Sequence, residues 1–412
     1  MSFVKSEVPS TSAEGLSLAK FVWNNTTAGV PLHAVCFFVH GLFDHSQRYG
    51  ELAAYLNRHG VSMVSLDWIG HGLSGGTPRG HIDDFRTIVD DFVALIETTM
   101  AQTKEFKHLP YAIIGKATGA VLATHIVHAV LLTDGRIPKP RSLLLISPAG
   151  KVKDTFSRTR KVMAKLVSNV APNLGVASFD VNKMNRDEAE RAAYAADELV
   201  VHGKIDSGTA ATLLKAVQTQ ESTFGDIKCP LFIAAAELEA VVDRDSAASL
   251  FSSLDQAPAK VLKCYRGAWH DLVHDPEKHA LFADLVDFLD GSLSCVFSSR
   301  NTSVRVNEFV AKDALLSCVV PDSLFVRLQM LAEMRGGSAP VQPSPDASSD
   351  PFDLPAPPTT SAILGTYAST AGLKQEPEQQ QEQQEKYGTY GGFPSGTAVQ
   401  STYSSLSLSP RK

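Results

Sequence analysis

Short apolar runs alternate with longer, mainly helical segments through most of the chain. Four runs have the length and composition of buried strands: 35–39, 111–114, 230–235 and 261–265. The segment 120–127, directly after the second run, is apolar enough to predict a buried helix. This alternation is typical of α/β folds, so we predict a mostly parallel sheet of about eight strands with helices on both faces. The predicted fold spans about residues 30 to 290, with a cap inserted at about 150–225.

A turn with glycines at both ends joins the strand 111–114 to the helix 120–127. Its sequence, Gly115-Lys116-Ala117-Thr118-Gly119, has the Gly-x-Ser-x-Gly spacing of a nucleophile elbow, with alanine in the place of serine. A strand-to-helix turn this sharp favours glycine on either side of its strained central residue. Ordinary strand-helix connections have this spacing too, so its meaning depends on the other motifs.

An oxyanion loop is predicted before this turn. His40-Gly41 follows the strand 35–39 and lets the backbone turn, so that the amide of Leu42 can face a developing oxyanion. The amide of Thr118 would be the second donor, and the Thr118 side chain is expected to point elsewhere.

A carboxylate and a histidine follow the turn in the order that such a site requires. Glu239 comes shortly after the strand 230–235, where parallel sheets place their functional loops. His270 lies on the loop after the strand 261–265, in the position of a general base.

Residues 1 to about 290 resemble the monoacylglycerol lipase branch of the α/β-hydrolases, which are serine hydrolases of acylglycerols and related esters. Besides the elbow, the likeness rests on the segments 40–49, 67–75, 145–148, 185–187, 194–199 and 265–270. The resemblance implies an α/β-hydrolase domain over residues 1–291 and an acyl lipid or ester as ligand. Asp67 and His71 lie on a turn that this family uses structurally, so we expect packing and hydrogen bonds from them.

Position by position, the resemblance assigns the nucleophile to Ala117, the acid to Glu239 where the family has aspartate, and the general base to His270. Lys116 also replaces the family's usual histidine. Acyl transfer in this fold needs an oxygen or sulfur nucleophile, which alanine does not have. The chain is therefore either a naturally disarmed hydrolase or one whose serine was mutated.

Two functions remain open from the sequence. The first is a disarmed protein that keeps an acyl-lipid pocket or binds a protein partner through its cap and tail. The second is an active ester or acylglycerol hydrolase, if position 117 is serine in the native gene.

Composition and charge bear on the possible partners, cofactors and location of the protein. The net charge of −6 and the pI near 6.1 argue against a nucleic-acid surface. Five cysteines form neither a disulfide framework nor a metal motif, and the histidines at 125, 128, 274 and 279 lack ligand spacing. We expect no metal and no cofactor. Without a secretory signal or a membrane-length apolar run, the sequence predicts a cytoplasmic protein. The basic and apolar stretch 161–170 of the cap suggests transient contact with membranes or lipid droplets as the alternative.

The chain after residue 291 lies outside the resemblance. Residues 292–335 are predicted to be a short extension with one helix that begins near Asp322. Residues 336–412 contain ten of the 22 prolines and a Gln/Glu-rich stretch at 375–386, so we predict a disordered tail with unknown protein partners.

Overall fold

The structure is a computed structural model that describes residues 3–24, 30–150, 170–178 and 180–293, and the backbone of 304–306. These residues belong to one unit of the chain, residues 1–331. The predicted tail at 336–412, the predicted helix near Asp322 and the stretch 161–167 of the cap lie outside the described residues.

A mixed, mostly parallel sheet forms the centre of the described domain. Nine strands pair in the order β1-β2-β4-β3-β5-β6-β9-β10-β11, and β7 pairs with β8 in a separate ribbon. Among the described strands of the main sheet, β1–β2 and β2–β4 pair antiparallel and the other neighbours pair parallel. The bounds are β1 Val4–Pro9, β2 Ser17–Trp23, β3 Ala34–Val39, β4 Val61–Leu66, β5 Tyr111–Lys116, β6 Ser142–Ile146, β7 Gly175–Ala177, β8 Ile205–Asp206, β9 Leu231–Ala236, β10 Lys260–Tyr265 and β11 Val304–Val306. The predicted mostly parallel sheet is confirmed, with nine strands described.

Helices cover both faces of the sheet. They are α1 Gly50–Arg58, α2 Phe85–Gln102, α3 Thr118–Leu131, α4 Glu188–Ala196, α5 Ser207–Gln220, α6 Ser246–Ser253 and α7 Lys278–Leu293. One core cluster packs α1 and α7 on one face, and the other packs α2, α3 and α6 on the opposite face. Successive residues of a strand point to opposite faces, so Phe37 and Phe38 of β3 enter different clusters. Every residue of β3 to β6 is buried, as expected for strands covered on both sides.

The inserted cap lies between β6 and β9, and its described part contains β7, β8, α4 and α5. Asp206 caps α5 by accepting a hydrogen bond from the amide of Thr209 at 2.8 Å. The cap is joined to the core by buried bonds, since the hydroxyl of Thr209 accepts from the amide of Ile82 at 2.9 Å. No helix in the described ranges is long and apolar enough to cross a membrane.

Candidate active site

The turn between β5 and α3 has the strained backbone of a nucleophile elbow. Ala117 has φ of 52° and ψ of −118°, a conformation that costs a non-glycine residue about 1–3 kcal/mol. Backbone hydrogen bonds hold it there, because the Ala117 amide donates to the carbonyl of Ile146 at 2.9 Å. The Ala117 carbonyl accepts from the amides of Ala120 and Ala149 at 3.1 and 3.2 Å. The strain is thus maintained although the central residue is alanine.

Gly119 lets α3 begin directly against the oxyanion loop. A Cβ added at Gly119 would lie 2.1 Å from the carbonyl oxygen of His40 and 2.3 Å from that of Val39. Both atoms belong to the backbone at the end of β3, so only glycine fits. This close approach fixes the start of α3 beside residues 40–42.

The predicted acid and base form a buried hydrogen-bonded pair. His270 Nδ1 lies 2.8 Å from Glu239 Oε2, and both side chains are buried. The other carboxylate oxygen, Oε1, accepts from the amides of Val241 and Val242 at 2.8 and 3.1 Å. Burial alone would raise the pKa of Glu239, but the electrostatic attraction and hydrogen bond of the His270 ring and the two amides bring the pKa below its usual value. An ionised Glu239 selects the tautomer in which His270 carries its proton on Nδ1.

One pocket brings most of the predicted site residues together. It has a volume of about 40 Å³. Its lining residues include Leu42, Ala117, Thr118 and His270, with Glu239 behind the imidazole. The pocket also touches the cap, through Met184 and Tyr194. An imidazole with Nδ1 directed to a carboxylate has Nε2 as its free acceptor, which is the arrangement of a general base.

The oxyanion loop differs from the expectation at one side chain. Thr118 does not point elsewhere: its hydroxyl accepts a hydrogen bond from the Leu42 amide at 2.7 Å. The expectation for this side chain was wrong because Thr118 opens α3, and the start of α3 lies against residues 40–42. Whether the amides of Leu42 and Thr118 act as oxyanion donors stays a prediction.

A protein-family model described as serine aminopeptidase, S33, matches residues 31–277. The chain belongs to this family. It is an α/β-hydrolase of the monoacylglycerol lipase type, with 26% identity to the monoacylglycerol lipase of Mycolicibacterium smegmatis over 68% of this chain and 98% of that protein. Human monoglyceride lipase is 29% identical over 63% of this chain and 82% of that protein.

Solved structures show the same fold. A soluble variant of monoglyceride lipase from Saccharomyces cerevisiae, in complex with a substrate analog, superposes with a TM-score of 0.61. It is 15% identical and covers 71% of this chain and 96% of that one. At this identity the similarity shows the fold alone.

The domain has a buried charge cluster beneath the candidate site, which was not predicted from the sequence. Lys116 Nζ lies 2.7 Å from Asp271 Oδ1 and 3.6 Å from Asp44 Oδ2. Arg48 Nε lies 3.1 Å from Asp44 Oδ1, and its Nη2 lies 3.6 Å from Asp271 Oδ2. We call Asp44, Arg48, Lys116 and Asp271 the charge cluster. It connects the oxyanion loop, the elbow and the histidine loop. Lys116 and Asp271 are direct sequence neighbours of Ala117 and His270, and Asp44 is two residues after Leu42.

The cluster pairs two anions with two cations inside the core. Burial would raise the pKa of both carboxyls, but Arg48 and Lys116 hold the pKa of Asp44 well below its usual range. The pKa of Asp271 is held well below its usual range by His274, whose Nδ1 lies 2.9 Å from Oδ2, and by Lys116 and Arg48. The Tyr49 hydroxyl donates to Asp44 Oδ2 at 2.6 Å, and burial beside these carboxylates raises the pKa of Tyr49. The one signal in the sequence was Lys116, a charged residue at the end of a buried strand where the family has histidine.

Asp67 and His71 have the structural roles expected of them. Asp67 accepts from the amides of Ser46 and Leu73 at 2.7 and 2.8 Å, and His71 Nδ1 contacts the carbonyl of Ile69 at 2.8 Å. The histidines at 125, 128 and 274 also have hydrogen-bonding partners. Within the described ranges, no group of three or more His, Cys, Asp or Glu side chains has the geometry to hold a metal ion.

Buried neutral histidines should make the domain sensitive to mild acid. Burial lowers the pKa of His40 to about 4, and His40 Nε2 must stay unprotonated to accept from the Trp68 amide at 3.2 Å. The folded pKa lies below the unfolded value of about 6.5, so its contribution is complete above pH ~6.5 and is lost as pH falls towards ~4. We expect the free energy of unfolding, measured in urea, to decrease as the pH is lowered from ~6.5 to ~4. The slope of this free energy against pH gives the number of protons taken up on unfolding, and in His40→Asn that number should be smaller by about one. An unchanged slope would show that His40 is not protonated on unfolding in this window.

Proposed function

We propose that this chain is a non-hydrolytic member of its family that binds an acyl lipid or ester in the pocket above Ala117. The observation that carries the proposal is Ala117 itself, in the strained elbow conformation and on the same pocket as His270. A covalent acyl intermediate needs an oxygen or sulfur at this position, and a methyl group cannot form it. Loss of the serine in a serine protease lowers turnover by about 10⁶.

The ligand class follows from the relatives. The similar proteins of Mycolicibacterium smegmatis and human are named monoacylglycerol lipase and monoglyceride lipase, and the yeast enzyme was solved with a substrate analog. An intact monoacylglycerol or a related ester is therefore the ligand we propose, with only its ester group in the pocket, because a volume of about 40 Å³ is too small for the acyl chain as well.

We also propose that the protein acts in the cytoplasm and touches membranes or lipid droplets through its cap. Apolar side chains of the cap support this contact: Val170 is 87% exposed, Leu174 54% and Val176 48%. An exposed apolar segment of this kind is suited to an interface.

An active ester hydrolase is the second candidate, and one observation favours it. The His270–Glu239 pair is held at 2.8 Å with an ionised acid, which is the geometry that activates a serine nucleophile. This candidate requires serine at position 117 in the native gene, which sequencing an independent copy of the gene would show.

The deciding experiment compares the unmodified chain with Ala117→Ser. We expect no labelling of the unmodified chain by a fluorophosphonate and no acyl-enzyme burst with a short-chain aryl ester. Ala117→Ser should be labelled and should release the aryl alcohol, whereas Ala117→Ser with His270→Ala should not, because the serine then lacks its base.

Binding is measured separately with a monoacylglycerol ether, which cannot be hydrolysed. The unmodified chain should bind it, and Ala117→Leu should weaken binding because the larger side chain fills the pocket. Ester hydrolysis by the unmodified chain at an ordinary enzymatic rate, abolished by His270→Ala, would disprove the non-hydrolytic function.

A further inference from the structure

Thr118 is the first residue of α3, and its hydroxyl is the hydrogen-bond acceptor of the Leu42 amide. The two groups are 2.7 Å apart, and both residues line the pocket with Ala117 and His270. A backbone amide carries a single proton. While the Leu42 amide donates to Thr118, it cannot donate a full hydrogen bond to an oxygen of the ligand.

We propose that the Thr118 hydroxyl occupies the acceptor position of the Leu42 amide in the oxyanion hole, and so forms a second block to acyl transfer, independent of Ala117. This inference rests on the proposed function only in taking the pocket as the former hydrolytic site. The oxyanion hole then keeps one donor, the amide of Thr118, which as a helix N-terminal amide has no acceptor within the helix.

The backbone around the two groups leaves little room for them to separate. Gly119 rests against the carbonyl of His40, so the start of α3 cannot move away from the oxyanion loop without losing this packing. On the other side, a Cβ added at Gly41 would lie 3.8 Å from the Thr118 hydroxyl and 3.6 Å from the Ala117 Cβ. These are ordinary van der Waals distances, so the packing at Gly119 is what holds the hydroxyl against the loop.

An oxyanion can form beside Leu42 only after the Thr118 side chain rotates and gives up its hydrogen bond. Deleting one oxyanion donor costs about 10²–10³ in kcat. Rotation keeps the donor and breaks one neutral hydrogen bond, so its cost is smaller and corresponds to about tenfold in rate. Restoring serine alone should therefore give a slow enzyme, and removing the Thr118 hydroxyl as well should make it faster.

The kinetic test uses the full chain in three versions: Ala117→Ser alone, with Thr118→Ala, and with Thr118→Ser. Thr118→Ala removes the hydroxyl, whereas Thr118→Ser keeps it and serves as the matched control. With a short-chain aryl ester and with a fluorophosphonate, we expect the Thr118→Ala version to acylate about tenfold faster than Ala117→Ser. The Thr118→Ser version should acylate more slowly than the Thr118→Ala version, because its hydroxyl still accepts from the Leu42 amide. Acylation that is no faster with Thr118→Ala, or equally fast with Thr118→Ser, would overturn the proposal.

A second measurement needs no catalysis and uses the chain with Ala117 unchanged. In protein labelled with ¹⁵N-leucine, the Leu42 amide resonance is assigned by its loss in Leu42→Ile. Thr118→Ala should move this amide proton upfield and speed its exchange with solvent, and Thr118→Ser should do neither, because a hydrogen-bonded amide is shifted downfield and protected.

The kinetic and NMR measurements distinguish a failure of the Thr118 proposal from a failure of the proposed function. If every serine version stays inert, the Leu42 resonance alone decides whether Thr118 holds the amide. If the unmodified chain proves active, the proposed function fails, while a Leu42 resonance that responds to Thr118→Ala still supports the hydrogen bond. A resonance that is the same in all versions would exclude the block.

Discussion

Replacing Lys116 with methionine should lower the free energy of unfolding by about 3–5 kcal/mol. The substitution keeps an unbranched side chain of similar length but removes a cation from the charge cluster. Lys116 is 2% exposed, and its partners Asp44 and Asp271 are 4% and 3% exposed, so neither carboxylate can turn to water. Two buried anions would then share Arg48 and His274, whose Nδ1 lies 2.9 Å from Asp271 Oδ2.

Equilibrium unfolding in urea measures this loss, and an exposed ion pair provides the control. Arg136 Nε lies 3.1 Å from Glu97 Oε1, with side chains 64% and 36% exposed, so Arg136→Met should change stability by less than about 1 kcal/mol. Adding Asp271→Asn to Lys116→Met should recover part of the loss, because it removes one of the two buried negative charges that Lys116 balanced. If Lys116→Met were as mild as Arg136→Met, the charge cluster would not stabilise the fold.

The central strands could be predicted from the sequence because they are buried on both faces. β3, β5 and β9 are largely apolar runs for this reason. Together with β10, whose residues are mostly half-buried, their order also located the elbow, the acid and the histidine. No strand was predicted before residue 30, and the structure adds β1 and β2 there. Most residues of β1 are exposed, so its composition carries little apolar signal.

Side-chain contacts between distant loops could not be predicted in this way. The sequence places Lys116 and Thr118 on the elbow, but it does not say that Lys116 meets Asp271 or that the Thr118 hydroxyl meets Leu42. The Lys116 contact depends on where the loop after β10 lies, and the Thr118 contact depends on how closely α3 approaches the loop after β3. That distance is set by tertiary packing at Gly119, and not by local periodicity.

In chains that carry Ala117→Ser, Glu239→Gln should lower the acylation rate by about 10⁴. Oε1 of Glu239 is fixed by the amides of Val241 and Val242, so a glutamine there must keep its carbonyl oxygen on them. Its NH₂ group then faces His270 Nδ1, 2.8 Å away in the native pair. The NH₂ donates to Nδ1, so the imidazole proton moves to Nε2. With Nε2 protonated, His270 can no longer accept the proton of the serine.

Initial rates with a short-chain aryl ester measure the effect, and Glu237→Gln is the matched control. Glu237 is two residues away and accepts from the amide of Gly267 at 2.7 Å, a bond that glutamine can keep, so its rate should change by less than about threefold. Glu239→Asp should not raise the rate, although the family has aspartate there. The glutamate already spans the distance between the two amides and His270, and a side chain one methylene shorter cannot reach all three partners. A rate for Glu239→Gln close to that of Glu237→Gln would show that Glu239 does not orient His270, and the acid would then have to be sought elsewhere.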